Sequence, residues 1–138
     1  NRRVFDESNK IVNTLDDFPD AMREISKEEK VDLIDLNTLS KTLFEAMGPK
    51  EAKRAFVHYP ANSYPNQPTA LADDTHFNTY GAYELAKCVV KSIEDQNLTL
   101  KKYISKNYKS FNPNKPDKIE DFHWPESVFM ESLKPDGN

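Results

Sequence analysis

The sequence predicts an α/β chain that is mostly helical, with about one parallel strand and long loops. Three observations carry that reading. Apolar residues recur at helical spacing in "FPDAMREI" and again in "TYGAYELAKCVVKSI". One short run, "VDLIDL" at 31–36, is rich in β-branched and leucine residues and follows a helix, which suits a buried parallel strand. The stretch "HYPANSYPNQPTALA" at 58–72 is proline-rich and has no helical period, so it reads as a loop.

The elements follow in order. Residues 1–14 show no sustained period and read as an extended loop. A helix follows in "LDDFPDAMREISKEEK", with Asp17 as N-cap, Pro19 in the first turn, and Phe18, Ala21, Met22 and Ile25 on one face. After the strand at 31–36, Leu39, Leu43, Ala46 and Met47 mark a second helix. Gly48 and Pro49 stop it, and Pro49 is also placed to start a short helix running to Phe56. From Thr79 a strong helical period puts Ala82, Leu85, Ala86, Val89 and Ile93 on one face. A shorter helix covers Leu98 to Ile104. The tail from 111 onward reads as an irregular strap anchored by Phe111, Phe122 and Trp124. The chain contains no internal repeat and no low-complexity tract.

Bulk properties narrow the function. The 138 residues have the length of one domain. Nineteen basic against 23 acidic side chains give a net charge of -4, and no basic stripe stands out, which argues against a nucleic-acid partner. No apolar run is long enough for a transmembrane helix, so no membrane partner is expected. "NRRVFDESNK" has no apolar core of the kind a signal peptide needs. Cys88 is alone, so it forms no internal disulfide. Its helical surroundings suggest a buried small hydrophobe and leave the redox compartment open. Nine prolines against three glycines is an unusual balance, because compact α/β enzymes normally use more glycine in tight turns. A lone strand also cannot make a sheet. Either it is solitary in a small helical fold or the chain is part of something larger, and the second reading accounts better for the helical faces left to cover.

The stretch "DDTHFNTYGAYELAK" at 73–87 carries the chemistry. Asp73 precedes His76 by three residues, and a helix follows at once. An Asp-x-x-His before a helix commonly does turn and capping work, but Asn78 or Thr79 is the better cap here, which frees Asp73. A carboxylate three residues before an imidazole can fold back on one ring N–H and hold the tautomer whose other nitrogen is a base. His58 sits beside the same loop and is better read as a structural hydrogen bonder. His123, between Phe122 and Trp124, reads as packed in the tail. A metal site from Asp73, His76 and His58 is weak, since the spacing is not that of a ligand pair. Tyr80 and Tyr83 read as packing beneath the site.

The run "DDTHFNTYGAYELAK" resembles the last sequence block of the SGNH (GDSL-type) esterases, where Asp-x-x-His supplies the catalytic Asp and His. "RRVFDESNKIVNTLDDFPDAMREISKEEKVDLIDLN" and "FEAMGPKEAKRAFVHYP" are similar to the rhamnogalacturonan acetylesterase branch, and "FNPNKPDKIEDFHWPES" to its bacterial C-terminal extension. The resemblance implies the C-terminal portion of a three-layer α/β/α, flavodoxin-like fold, with residues 1–110 in the hydrolase domain and 111–138 as the strap. It implies Asp73 and His76 as catalytic residues, with no metal and no cofactor. The family's Gly-Asp-Ser nucleophile block and its oxyanion-hole glycine and asparagine are not found here. None of Ser8, Ser26, Ser40, Ser63, Ser92, Ser105, Ser110, Ser127 and Ser132 follows a Gly-Asp pair. The expected function is therefore that of the C-terminal part of a serine carbohydrate esterase that removes O-acetyl groups from a rhamnogalacturonan-like plant cell-wall polysaccharide. The piece alone is expected to be inactive, and to pair with a missing N-terminal part or with itself. The family implies periplasmic or secreted placement. The alternatives are a non-catalytic packing or binding subdomain, or an SGNH esterase or lipase acting on another acyl ester.

Overall fold

Residues 1–125 are described by a computed structural model, which sets two long helices and a β-hairpin around one aromatic-rich core. The first helix, α1, spans Phe18–Glu29. Asp17 precedes it and Pro19 lies in its first turn, as the sequence indicates, although the Asp17 side chain makes no capping bond. The helix α2 spans Leu36–Ala52, and Asp35 caps it by accepting the Thr38 N–H. Gly48 interrupts α2 with φ of 73° and ψ of 167°, a left-handed excursion that favours glycine. Pro49 then restarts the helix, so the stop and restart expected at this pair are both present.

The expected strand at 31–36 does not form. Residues 31–35 belong to no ladder, Asp35 sits in a tight turn at φ of -73° and ψ of 74°, and Leu36 already begins α2. A strand exists only through a neighbour's N–H and C=O groups, and among the described residues no segment offers them to this run. Its backbone instead makes local bonds, Val31 N–H to Ser26 O and Leu36 N–H to Ile34 O, while Leu33 O accepts from the Gln96 side chain. Leu33 and Ile34 join Leu15, Phe18, Pro19 and Met22 around an apolar hollow of about 300 Å³.

The sheet lies instead where the sequence suggests a loop. Strand β1, Phe56–Tyr59, pairs antiparallel with β2, Leu71–Phe77. Proline is confined to the connection, at Pro60, Pro65 and Pro68, so the ladder is intact on either side of it. The order runs Tyr59 opposite Leu71, His58 opposite Ala72 and Val57 opposite Asp73, but Phe56 is opposite Phe77. Asp74, Thr75 and His76 therefore bulge out of register.

The helix α3, Thr79–Asp95, follows directly, capped by Asn78, whose side chain accepts the Gly81 N–H at 3.0 Å. Its buried face differs from the expected one. Tyr80, Gly81, Glu84, Leu85, Lys87, Cys88, Ser92 and Ile93 point inward, while Ala82 and Ala86 are exposed. Alanine adds little apolar area, so the larger side chains set the rotation of the helix. Leu43, Phe44, Phe56, Leu85 and Cys88 form the centre, with Ile11 and Phe111 closing it. Phe44, Phe56 and Phe77 stack in a triangle with centroids 5.1–6.0 Å apart.

The short helix expected near 98–104 is a 3₁₀ turn, Thr99–Tyr103. Beyond it residues 104–125 are irregular apart from a second 3₁₀ turn, Ile119–Asp121, and Phe111 and Phe122 hold them to α3; Phe122 lies 5.5 and 5.3 Å from Tyr80 and Tyr83. Trp124 does not anchor it, being 60% exposed, and His123 is exposed rather than packed. An ion-pair seam replaces them. Lys87 Nζ lies 2.6 Å from Glu84 Oε1 and 2.5 Å from Asp117 Oδ2, over the Phe111 ring. Burial pushes the Glu84 carboxyl up, and Lys87 opposes that. The remainder of the strap, 126–138, with Ser127 and Ser132, lies outside the described residues.

Gly81 is where α3 and the Ala55 backbone come closest. A Cβ built there would sit 2.0 Å from Ala55 O, a clash with main chain that no rotamer relieves. Gly81→Ala should cost roughly 1–3 kcal/mol or more, read as a lower urea midpoint. A wild-type midpoint would contradict this packing.

Candidate active site

The geometry begins with the Asp73 carboxylate. Its Oδ1 accepts the backbone N–H groups of Thr75 at 2.6 Å and His76 at 3.0 Å, folding the bulge into a tight turn. That leaves Oδ2 facing the imidazole, 2.7 Å from His76 Nδ1. One side chain thus does both jobs the sequence allows: it makes the turn and it holds the ring. An ionised carboxylate only accepts, so Nδ1 carries the proton and Nε2 presents its lone pair. Nε2 has no hydrogen bond among the described residues, and the His76 side chain is 76% exposed. The base-bearing nitrogen faces outward.

The electrostatics agree with the distances. The His76 N–H, the His76 ring and the Thr75 N–H together hold the Asp73 carboxyl down at about 2, against 3.8 ordinarily. It remains an anion throughout the neutral range.

Sequence reasoning missed the node that supports this turn. Asp74, the next residue, points to the opposite face of the hairpin. There Asp74 Oδ1 takes His58 Nε2 at 2.6 Å and Arg3 Nε at 2.7 Å, while Arg3 N–H donates to Asp74 O at 2.9 Å. Partial burial works against the Asp74 charge, but His58 and Arg3 outweigh it and hold the carboxyl below its ordinary range. His58 is therefore a structural hydrogen bonder, as the sequence suggests. It turns away from Asp73 and His76, so the three do not converge on a metal, and among the described residues no group of three or more His, Cys, Asp or Glu does. No local sequence signal links Arg3 to Asp74, because the two are 71 positions apart.

The other candidates lie elsewhere. Tyr80 is buried and its hydroxyl donates to Asp117 O at 2.6 Å; Tyr83 is partly exposed against Phe122. Cys88 is fully buried, and burial pushes its thiol up to about 11, so it offers no thiolate at neutral pH. Of the serines, Ser40 and Ser92 are buried in α2 and α3, and no serine of the described residues hydrogen-bonds His76.

Two curated proteins show what the chain is similar to. Rhamnogalacturonan acetylesterase RhgT of Bacillus subtilis (strain 168) is 47% identical over 103 residues, covering 75% of this chain and 44% of that protein. Probable rhamnogalacturonan acetylesterase YesY of the same organism is 36% identical over 95 residues, covering 67% of this chain and 40% of that protein. The chain spans less than half the length of the curated relatives it matches. No family model matches the chain, and no solved structure matches it significantly.

The depressed Asp73 carboxyl makes a titration prediction. A folded pKa below the ordinary value adds stability above that value and loses it as pH falls from about 3.8 through about 2. Carbon-13 NMR should place the Asp73 midpoint at about 2. In His76→Ala the midpoint should rise but stay below the ordinary value, since both backbone N–H bonds remain. A wild-type midpoint at the ordinary value would contradict the turn geometry.

Proposed function

Because the chain belongs to the rhamnogalacturonan acetylesterase family, we propose that Asp73 and His76 are the acid and base members of a Ser–His–Asp triad in an SGNH-type serine esterase. The complete enzyme removes O-acetyl groups from a rhamnogalacturonan-like polysaccharide. The observation that carries this is the 2.7 Å bond from His76 Nδ1 to Asp73, with Nε2 exposed on a bulge. No Gly-Asp-Ser occurs in this sequence. The serine and the oxyanion donors therefore come from the part of the protein outside it, and the described residues are one portion of a three-layer α/β/α domain. In that arrangement 1–110 belongs to the hydrolase domain and residues 111–125 of the strap lie over it.

The chemistry assigns each atom a task. His76 Nε2 takes the serine Oγ proton as Oγ attacks the acetyl carbonyl carbon. Asp73 holds the ring in place and stabilises the imidazolium that forms. The tetrahedral intermediate collapses as the sugar oxygen leaves with the Nε2 proton, giving an acetyl-serine. Water then enters, loses a proton to Nε2, and releases acetate while serine regains its hydrogen. The route consumes only water and needs no cofactor. A polymeric plant cell-wall substrate places the complete enzyme outside the cytoplasm, periplasmic or secreted.

Kinetics of the complete enzyme on p-nitrophenyl acetate test the roles. His76→Ala should lower kcat by roughly 10⁴-fold or more, and Asp73→Asn by roughly 10²–10⁴-fold, the range seen when triad members are removed. Residues 1–138 alone should show no turnover above their own His76→Ala control. Near wild-type turnover in the complete His76→Ala enzyme, or His76-dependent turnover by 1–138, would overturn the proposal.

A further inference from the structure

The connection between β1 and β2 does more than reverse the chain. Residues 60–70 are exposed apart from Gln67, yet the loop is tightly bonded to itself. Gln67 Nε2 donates to Pro60 O at 3.0 Å and Thr69 O at 2.6 Å, and its Oε1 accepts the Tyr64 N–H at 3.2 Å. Asn62 N–H reaches Gln67 O at 2.8 Å, and Ser63 Oγ donates to Pro60 O at 2.8 Å. Asn62 and Asn66 hold left-handed backbone at φ of 63° and 61°, and three prolines restrict the rest. Among the side chains this loop presents, Tyr64 is the one aromatic. Tyr64 is 52% exposed, its ring set edge-on to Tyr59 at 5.1 Å and 89°.

The ladder places that ring relative to the site. Tyr59 opposite Leu71 and Val57 opposite Asp73 lie two residues apart on β1, so their side chains share one face of the hairpin. Tyr59 is therefore roughly 7 Å along the strand from the Asp73 row, and Tyr64 lies just beyond it. His58 and Asp74 occupy the opposite face. An exposed aromatic ring, locked in place and on the same face as a hydrolytic pair, has the form of a platform for the apolar C–H face of a sugar. A rigid platform binds with little ordering cost.

We propose that Tyr64 is a stacking subsite for a pyranose ring of the polysaccharide, next to the ring whose acetyl group reaches His76. This rests on the esterase reading for its ligand class, but not on the triad for its effect. The recognised feature is the sugar face, so removing the acetyl groups leaves the contact in place.

The test titrates rhamnogalacturonan oligosaccharides, acetylated and deacetylated, into the complete protein in a His76→Ala background that blocks turnover. Tyrosine-ring NMR reports occupancy. Saturable binding of both ligands is expected, with Tyr64→Phe within about twofold and Tyr64→Ala weaker by roughly tenfold, the scale of one aromatic contact. Tyr64→Ala binding as tightly as its parent, binding that disappears on deacetylation, or no binding of either oligosaccharide would overturn the proposal. Hydrolysis persisting in the His76→Ala background would instead sink the triad role of His76, and the deacetylated ligand still decides the platform.

Discussion

Asn78 holds the site and the fold together. Its side-chain oxygen caps α3 through the Gly81 N–H, and its amide nitrogen donates to Arg54 O at 2.6 Å and Phe56 O at 3.0 Å. Its backbone N–H bonds Ala55 O at 3.1 Å. One residue, two positions after His76, thereby joins the start of β1, the end of β2 and the first turn of α3. The junction is close enough that only glycine fits at 81. With both ends of β2 held, three surplus residues must bulge, and the bulge carries His76. Bulges recur beside active sites because they redirect a side chain without breaking the sheet.

What the sequence reveals of this site is local. The Asp73–His76 spacing, the Asn78 cap and the Gly48–Pro49 break each depend on bonds made within a few residues, and each stands where the sequence puts it. The hairpin was hidden because "FVHY" and "LADDTHF" alternate poorly, and proline in the connection masks the strands beside it. "VDLIDL" has strand composition, yet composition cannot supply a ladder partner. The buried pair Glu84 and Lys87 was equally hidden. A charge inside a helix face reads as solvated unless its partner, here Asp117 some 30 positions away, is known.

The exposed apolar side of α1 belongs with that strandless run. Phe18 is 72% exposed, Met22 and Ile25 are more than half exposed, and Val31 continues the patch. The helical face is read correctly from the sequence, but among the described residues nothing covers it. Its residues surround the same hollow as Leu33 and Ile34. Large apolar patches are uncommon on monomeric proteins. The patch is in keeping with a chain that spans less than half the length of its relatives. None of the residues lining that hollow belongs to the hairpin.

If His76 serves a serine outside this sequence, as proposed, covalent trapping will find that serine. The complete protein would be treated with a fluorophosphonate, which labels an activated serine, and the adduct located by peptide mapping and crystallography. A single labelled serine outside residues 1–138 is expected, its Oγ within roughly 2.6–3.2 Å of His76 Nε2 and its labelling lost in His76→Ala. Label on any of the nine serines within this sequence, or a labelled serine remote from His76, would contradict it.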